Sequence, residues 1–250
     1  MARVVPRIYI ITLNADGERV VKLKARLESQ ALAYDICPAV DGRGRQPQEF
    51  DKYHHRGALS YMGRALTGGE IGCYLSHLKA AQLLLDSSDD YAVVLEDDAR
   101  VNEHAMGTVA KAIEMLRDRD ADWQLINVGR SHQKISRILG PIAGTGSRLL
   151  RAHYFPMTTC AIVWSRAGAA DFVRKSDRIF SPVDNYLRRW VSRGARGYSI
   201  FPAPIGSQGV ASVIKKEDHL RYNEAIKNFA KAKRNWSEKL LALIQKISLT

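Results

Sequence analysis

Cysteine is scarce in this 250-residue chain: Cys37, Cys73 and Cys160 stand far apart, and no CxxC pair occurs. That excludes a zinc knuckle or a redox dithiol and fits reduced, buried thiols in a reducing compartment. No apolar run approaches the roughly 18 residues of a membrane span. Residues 1–14 lack the apolar core and small-residue cleavage site of a secretory signal. Neither a GxGxxG nor a Walker pattern is present, which argues against a dinucleotide or ATP site. There is no internal repeat and no low-complexity tract. The expectation from these absences is a cytoplasmic protein, soluble or peripheral on the cytoplasmic face of a membrane.

The hydrophobic fraction of 46% is enough to bury a core. The formal net charge of +12 favours anionic partners, whether phosphorylated substrates, an acidic leaflet or nucleic acid. Against nucleic acid, the interior positive charge is dispersed and has no aromatic-interleaved patch.

Strand and helix alternate early in the chain. Arg7–Leu13 reads as an internal strand, followed by a helix through about Gln30 that Asn14 or Asp16 would cap, with Val20, Leu23 and Leu27 at helical spacing. Tyr34–Val40 reads as a second strand, halted at Asp41-Gly42. The stretch Arg43–Arg64 has no clear period and reads as a long loop with short helical pieces. Thr67 and Glu70 have capping-box spacing and open a helix. Gly68 and Gly69 at its start permit a ligand to approach the backbone closely where free N–H groups favour anions. Tyr91–Leu95 is the most strand-like pentapeptide. Helices are expected over Ala105–Arg119 and, capped by Ser165, over Ala167–Lys175; another runs from Pro182 through Val191. Strands are expected at Trp123–Val128, Arg148–Tyr154, Thr159–Trp164 and Gly197–Phe201. The pattern predicts an α/β fold, a Rossmann-like parallel sheet with an antiparallel edge.

The strand Tyr91–Leu95 runs directly into Glu96-Asp97-Asp98. Three adjacent carboxylates at the edge of a low-dielectric core repel one another and raise their own pKa values. A divalent cation removes that penalty, and hard oxygen ligands suit Mg²⁺ or Mn²⁺. In an extended chain Glu96 and Asp98 project to one side and Asp97 to the other. A simpler reading makes Asp97 and Asp98 the cap of the next helix.

Leu66 through His77, followed by Val94-Leu95-Glu96-Asp97-Asp98, resembles glycosyltransferase family 25, which includes lipopolysaccharide and lipooligosaccharide glycosyltransferases and collagen galactosyltransferases. Ile11 through Asn14 with Arg19, Ala39 through Gly42, and Pro182-Val183-Asp184 are similar to the same family. The resemblance runs from about residue 7 to about residue 214. It implies a GT-A fold, with a mixed sheet flanked by helices, and transfer with inversion at the sugar. It further implies a UDP-sugar donor, by the family's habit UDP-galactose, and a saccharide acceptor such as a lipooligosaccharide core. Nothing in Gly129–Arg148 or the C-terminal tail matches it.

On that resemblance Glu96 and Asp98 look like the metal-binding pair, with Glu96 also reaching the donor and Asp97 supporting them. Asp184, at the start of a helix, is the candidate base for the acceptor hydroxyl; a partner of the helix dipole is the plainer role. His77 is either a site hydrogen-bond donor or a satisfied core residue. Thr12, Asn14, Arg19, Val40, Asp41 and Glu70 would line the nucleotide pocket, although Arg19 equally suits a solvated helix face and Glu70 a cap. A metal-dependent nuclease or phosphotransferase would share the carboxylate cluster but calls for acidic ligands on several elements.

Residues 1–214 are expected to form the transferase domain and 215–250 a basic amphipathic tail. Lys215, Lys216, Lys227, Lys231, Lys233, Arg234, Lys239 and Lys246 crowd this stretch, with Trp236, Leu240, Leu241, Leu243, Ile244 and Ile247 among them at roughly helical spacing. Such a helix either lies on an anionic membrane surface or packs on the domain by its apolar stripe.

Overall fold

A computed structural model describes residues 6–207 and 224–248. The expected boundary at 214–215 falls outside them, as do Lys215 and Lys216.

The first strand, β1 (Arg7–Thr12), is apolar on both faces because both are covered. Ile8 and Ile10 enter one core with Val20, Leu23 and Leu27 of α1 (Glu18–Glu28) and with α4 (Ala105–Arg119). Tyr9 and Ile11 enter the opposite core, against α2 (His55–Met62), α3 (Gly68–Asp86), α5 (Arg166–Lys175) and α6 (Val183–Ser192). The same alternation recurs in β3 (Tyr91–Glu96), where Val94 joins one core and Val93 and Leu95 the other.

The remaining strands are β2 (Asp35–Pro38), β4 (Ala99–Val101), β5 (Leu125–Asn127), β6 (Ser136–Pro141), β7 (Arg148–Ala152), β8 (Ala161–Ser165), β9 (Gly197–Phe201) and β10 (Ile205–Ser207). Eight of the ten strands among the described residues form one sheet in the order β2-β1-β3-β8-β5-β9-β7-β6, and β4 pairs with β10 separately. The sheet is mixed and flanked by helices, the Rossmann-like form expected. Only β8 and β7 run against the other six strands. Reversal is therefore not confined to an edge, because β8 lies between β3 and β5.

Local chemistry accounts for most boundaries. The Thr67 hydroxyl accepts the Glu70 N–H at 3.2 Å, and the Glu70 carboxylate accepts the Thr67 N–H at 2.9 Å, so both halves of the capping box form. Ser165 Oγ accepts the Gly168 N–H at 3.0 Å. The stretch 43–64 contains a 3₁₀ turn at Pro47–Glu49 and α2. Some local expectations fail: the chain turns at Asp97-Asp98 and does not stay extended, His104 and not Asp97 or Asp98 precedes α4, and Gly17, not Asn14 or Asp16, stands at the N-cap of α1. Asn14 Oδ1 instead accepts the Asp16 N–H at 3.0 Å, closing a turn before the helix begins.

The C-terminal helix α7 (Glu224–Ser248) packs on α2 and α6. It does so with a narrow stripe, Ala230, Arg234, Glu238 and Ala242, not with its large apolar residues. Gly63, in the left-handed conformation that ends α2, leaves room for this approach. A Cβ there would stand 2.8 Å from Ala230 Cβ and 2.9 Å from the Ile226 carbonyl. The Tyr61 hydroxyl donates to Glu238, and Arg234 donates to the Tyr61 carbonyl at 2.9 Å. No helix among the described residues is long and apolar enough to cross a membrane.

Candidate active site

A cavity of about 470 Å³ opens at the carboxyl ends of β1, β2 and β3, where open α/β sheets hold their ligands. Thr12 and Asn14 come from the end of β1, Arg19 from α1, and Val40 and Asp41 from the loop after β2. His77 comes from α3, and Glu96 and Asp97 from the end of β3. Eight of the eleven candidate site residues thus line one space.

The loop after β2 is pinned from two sides. The Ser76 hydroxyl accepts the Val40 N–H at 2.9 Å and donates to the Gly72 carbonyl at 2.7 Å. Gly42 and Gly68 touch through their backbones: a Cβ on Gly42 would lie 1.9 Å from the Gly68 carbonyl oxygen. For Gly68 the close approach is therefore to the chain itself, while Gly69 lines the cavity. Arg43 holds Asp41 through a 2.9 Å contact to Oδ1 and a 2.6 Å contact to Oδ2. That pairing keeps the Asp41 carboxyl near a pKa of about 2.

The acidic triplet divides. Glu96 Oε1 accepts from the fully buried His77 Nε2 at 2.9 Å and from Thr159 Oγ1 at 2.6 Å, and neither bond uses Oε2. Burial works to raise the Glu96 pKa, but these donors prevail and hold it below its ordinary value. Asp97 faces Arg19 at 4.0 Å across the cavity wall. Its pKa is raised by burial first, with Asp98 and Glu96 adding to it against Arg19. Asp98 is not a lining residue. Its Oδ2 accepts from Ser207 at 2.8 Å, and its Oδ1 is buried without a hydrogen-bond partner.

Two more residues stand outside the cavity. Glu70 is occupied by the cap and by Arg64, which reaches its Oε2 at 2.7 Å. Asp184 lies in the first turn of α6, where its Oδ1 accepts the Asn185 N–H at 2.7 Å. Burial raises its pKa, and the charges of Glu96 and Glu70 are near enough to add to that. Cys73, read from the sequence as packing, lines the cavity, and its thiol lies within 4.8 Å of ligand atoms of His77 and Glu96. Burial pushes that thiol well above its ordinary pKa, which makes it a poor ligand for a hard cation.

Thr159, Ser76 and Arg43 escaped the sequence reading. A lone Thr before a strand and a Ser inside a helix carry no local signal for contacts 63 and 36 residues away.

A model of the family described as glycosyltransferase family 25 (LPS biosynthesis protein) matches residues 5–187, which include the cavity lining, the acidic triplet and Asp184. The chain belongs to glycosyltransferase family 25. Among family relatives, Procollagen galactosyltransferase 1 of Danio rerio is 28% identical over 229 residues, 82% of this chain and 38% of the relative. Procollagen galactosyltransferase 2 of Homo sapiens is 27% identical over 185 residues, 72% of this chain and 29% of the relative. Probable inactive glycosyltransferase 25 family member 3 of Bos taurus is 31% identical over 189 residues, 72% of this chain and 31% of the relative. This family 25 chain thus spans well under half the length of those curated proteins.

Proposed function

We propose that this chain is a cytoplasmic, inverting glycosyltransferase that moves a hexose, galactose foremost, from a UDP-sugar to a saccharide acceptor of the lipooligosaccharide-core kind. The observation that carries the reading is the cavity at the ends of β1, β2 and β3, walled by Thr12, Asn14, Arg19, Asp41, Glu96 and Asp97 in a family 25 chain. Its volume suits a nucleotide sugar. Arg19 supplies positive charge for a diphosphate, and the polar ends of β1 and β2 supply partners for a ribose and base.

The carboxylates supply the hard oxygen donors that a divalent cation prefers, although among the described residues the ligand atoms that converge within 4.8 Å are those of Cys73, His77 and Glu96. Asp98 Oδ1 is buried without a hydrogen-bond partner, which is costly unless something pairs with it, and Glu96 Oε2 is left free by the two bonds that hold its Oε1. Glu96 and Asp98, with Asp97 beside them, would hold Mn²⁺ or Mg²⁺, and that ion would supply neutralising charge for a departing nucleoside diphosphate. His77 and Thr159 keep Glu96 ionised and aimed. Asp184 is the base for the acceptor hydroxyl: burial raises its proton affinity, and its position in the first turn of α6 holds it still. Residues to about 214 constitute the transferase unit, and α7 brings it to a membrane-borne acceptor.

Thermal shift with UDP and UDP-galactose, each with and without Mn²⁺, tests the donor and metal assignments. We expect a metal-dependent rise that Asp98→Ala removes while leaving the unliganded melting temperature near wild type. An unchanged rise in that variant would eliminate Asp98 as a ligand, and no rise with any UDP-sugar would eliminate the donor class.

A further inference from the structure

A second cavity, of about 550 Å³, lies between α2, α6 and α7, away from the donor site. Its charged lining is entirely cationic: Arg178, Arg189, Arg193, Lys233 and Arg234, from three separate segments of the chain. No Asp or Glu lines it, and none of the five cations is in an ion pair among the described residues. Helix-dipole compensation explains Arg193 at the C-cap of α6, and Arg189 and Arg234 lie over the Tyr61 ring at 5.0 and 5.3 Å from its centroid, but neither arrangement accounts for Arg178 or Lys233 or neutralises any of the five charges. Arg234 is 9% exposed, and its Nε has no hydrogen-bond partner. Burial, and after it the neighbouring Arg193, lower the proton affinity of Arg189, despite the carboxylate of Glu238 behind the cavity wall. Guanidinium groups gathered in this way match the geometry of a phosphate.

The outer face of α7 adds a second, independent observation. Phe229 is 71% exposed and Trp236 69%, and Leu240, Leu243 and Ile244 are exposed beside them. On a 3.6-residue helix these five fall within an arc of about 100°, opposite the packed stripe. Lys233 belongs to both features: it lines the cavity and stands within about 60° of Phe229, Trp236 and Leu240. A cation within that face, whose long apolar stem lets the charged head reach water, fits a water–lipid boundary. It would sit poorly in an apolar seam between two copies of the helix.

We propose that the cavity between α2, α6 and α7 binds the phosphate of an anionic membrane lipid while the outer face of α7 lies in the bilayer surface. The phosphate is held by Arg178, Arg189 and Arg193, with Arg234 and Lys233 closing the α7 side. Because α6 carries Asp184 in its first turn and Arg193 at its other end, about 14 Å along the axis, lipid capture fixes the candidate base relative to the membrane. The inference extends the reading of a membrane-borne acceptor, but its test involves neither donor nor turnover, so either can fail alone.

The experiment is flotation of the full chain with three vesicle types: phosphatidylcholine alone, with phosphatidylglycerol, and with phosphatidic acid at matched net charge. Phosphatidic acid exposes a phosphomonoester. Wild type is expected to bind phosphatidic acid vesicles best and plain phosphatidylcholine weakest. R178Q/R193Q, at two exposed positions that the fold does not need, should lose about tenfold or more on phosphatidic acid vesicles and fall to the phosphatidylglycerol level. W236S/L240S should lose binding to all three, with its circular dichroism and melting unchanged. Equal binding of phosphatidic acid vesicles by wild type and R178Q/R193Q would overturn the proposal. So would stabilisation by inorganic phosphate without vesicle binding, which would assign the cavity to a soluble phosphate.

Discussion

His153 offers a quantitative test of how the fold treats a buried base. It follows β7 directly, is 1% exposed, and neither ring nitrogen has a hydrogen-bond partner. Burial, with Arg151 next and Lys246 and Arg137 adding to it, outweighs the opposing effect of the neighbouring Gln245 side chain and lowers its pKa to about 4. An unfolded histidine titrates near about 6.5. Between those values the unfolded chain binds a proton that the folded chain refuses, so stability falls as pH drops through that window. The slope is at most about 1.4 kcal/mol per pH unit, and across about 2.5 units the loss reaches about 3 kcal/mol. Urea denaturation at pH 7, 6, 5 and 4, run on wild type and His153→Gln, isolates this contribution because the carboxylates titrate alike in both. Wild type should lose about 3 kcal/mol more than the variant between pH 7 and 4, with nothing gained above pH 7. Parallel pH profiles for the two proteins would refute the reasoning.

Three further outcomes follow from the same geometry. Thr67→Ala removes the acceptor for the Glu70 N–H and should cost about 1 kcal/mol in denaturant unfolding, with donor binding little changed. Gly42→Ala forces a Cβ against the Gly68 carbonyl, so it should destabilise by about 1–3 kcal/mol and weaken UDP-dependent stabilisation together; a neutral result would show that the loop yields freely. Asp184→Asn should retain donor binding and lose transfer. In wild type, transfer should rise with pH through the Asp184 pKa, which lies above the usual aspartate value, because only the ionised form accepts a proton. Residual activity in the variant that keeps the same acid limb would remove Asp184 from the proton transfer.

Much of the architecture was legible because it is encoded locally. Apolar runs and caps marked β1, β3 and α3 to within a residue or two, and the helix expected over Ala105–Arg119 forms with those bounds. β6 was not foreseen. Its side chains follow no in–out alternation, since it pairs only with β7 at the end of the sheet. The triplet was legible as a cluster at a strand end, but its division of labour was not. Glu96 turns to His77 and Thr159, whereas Asp98 turns to Ser207, through contacts spanning 19 to 109 residues that no local pattern reports.

The tail shows the same division between local pattern and tertiary outcome. By itself the sequence determined that residues 224–248 make an amphipathic, basic helix, because periodicity and charge are properties of neighbours along the chain. Which stripe faces the protein was decided only in three dimensions. Small Ala230 fits against Gly63, and Arg234 and Glu238 find partners on Tyr61, so the bulky residues are left facing outward. Close packing selects by shape and by hydrogen-bond satisfaction, and neither is written in hydrophobicity alone.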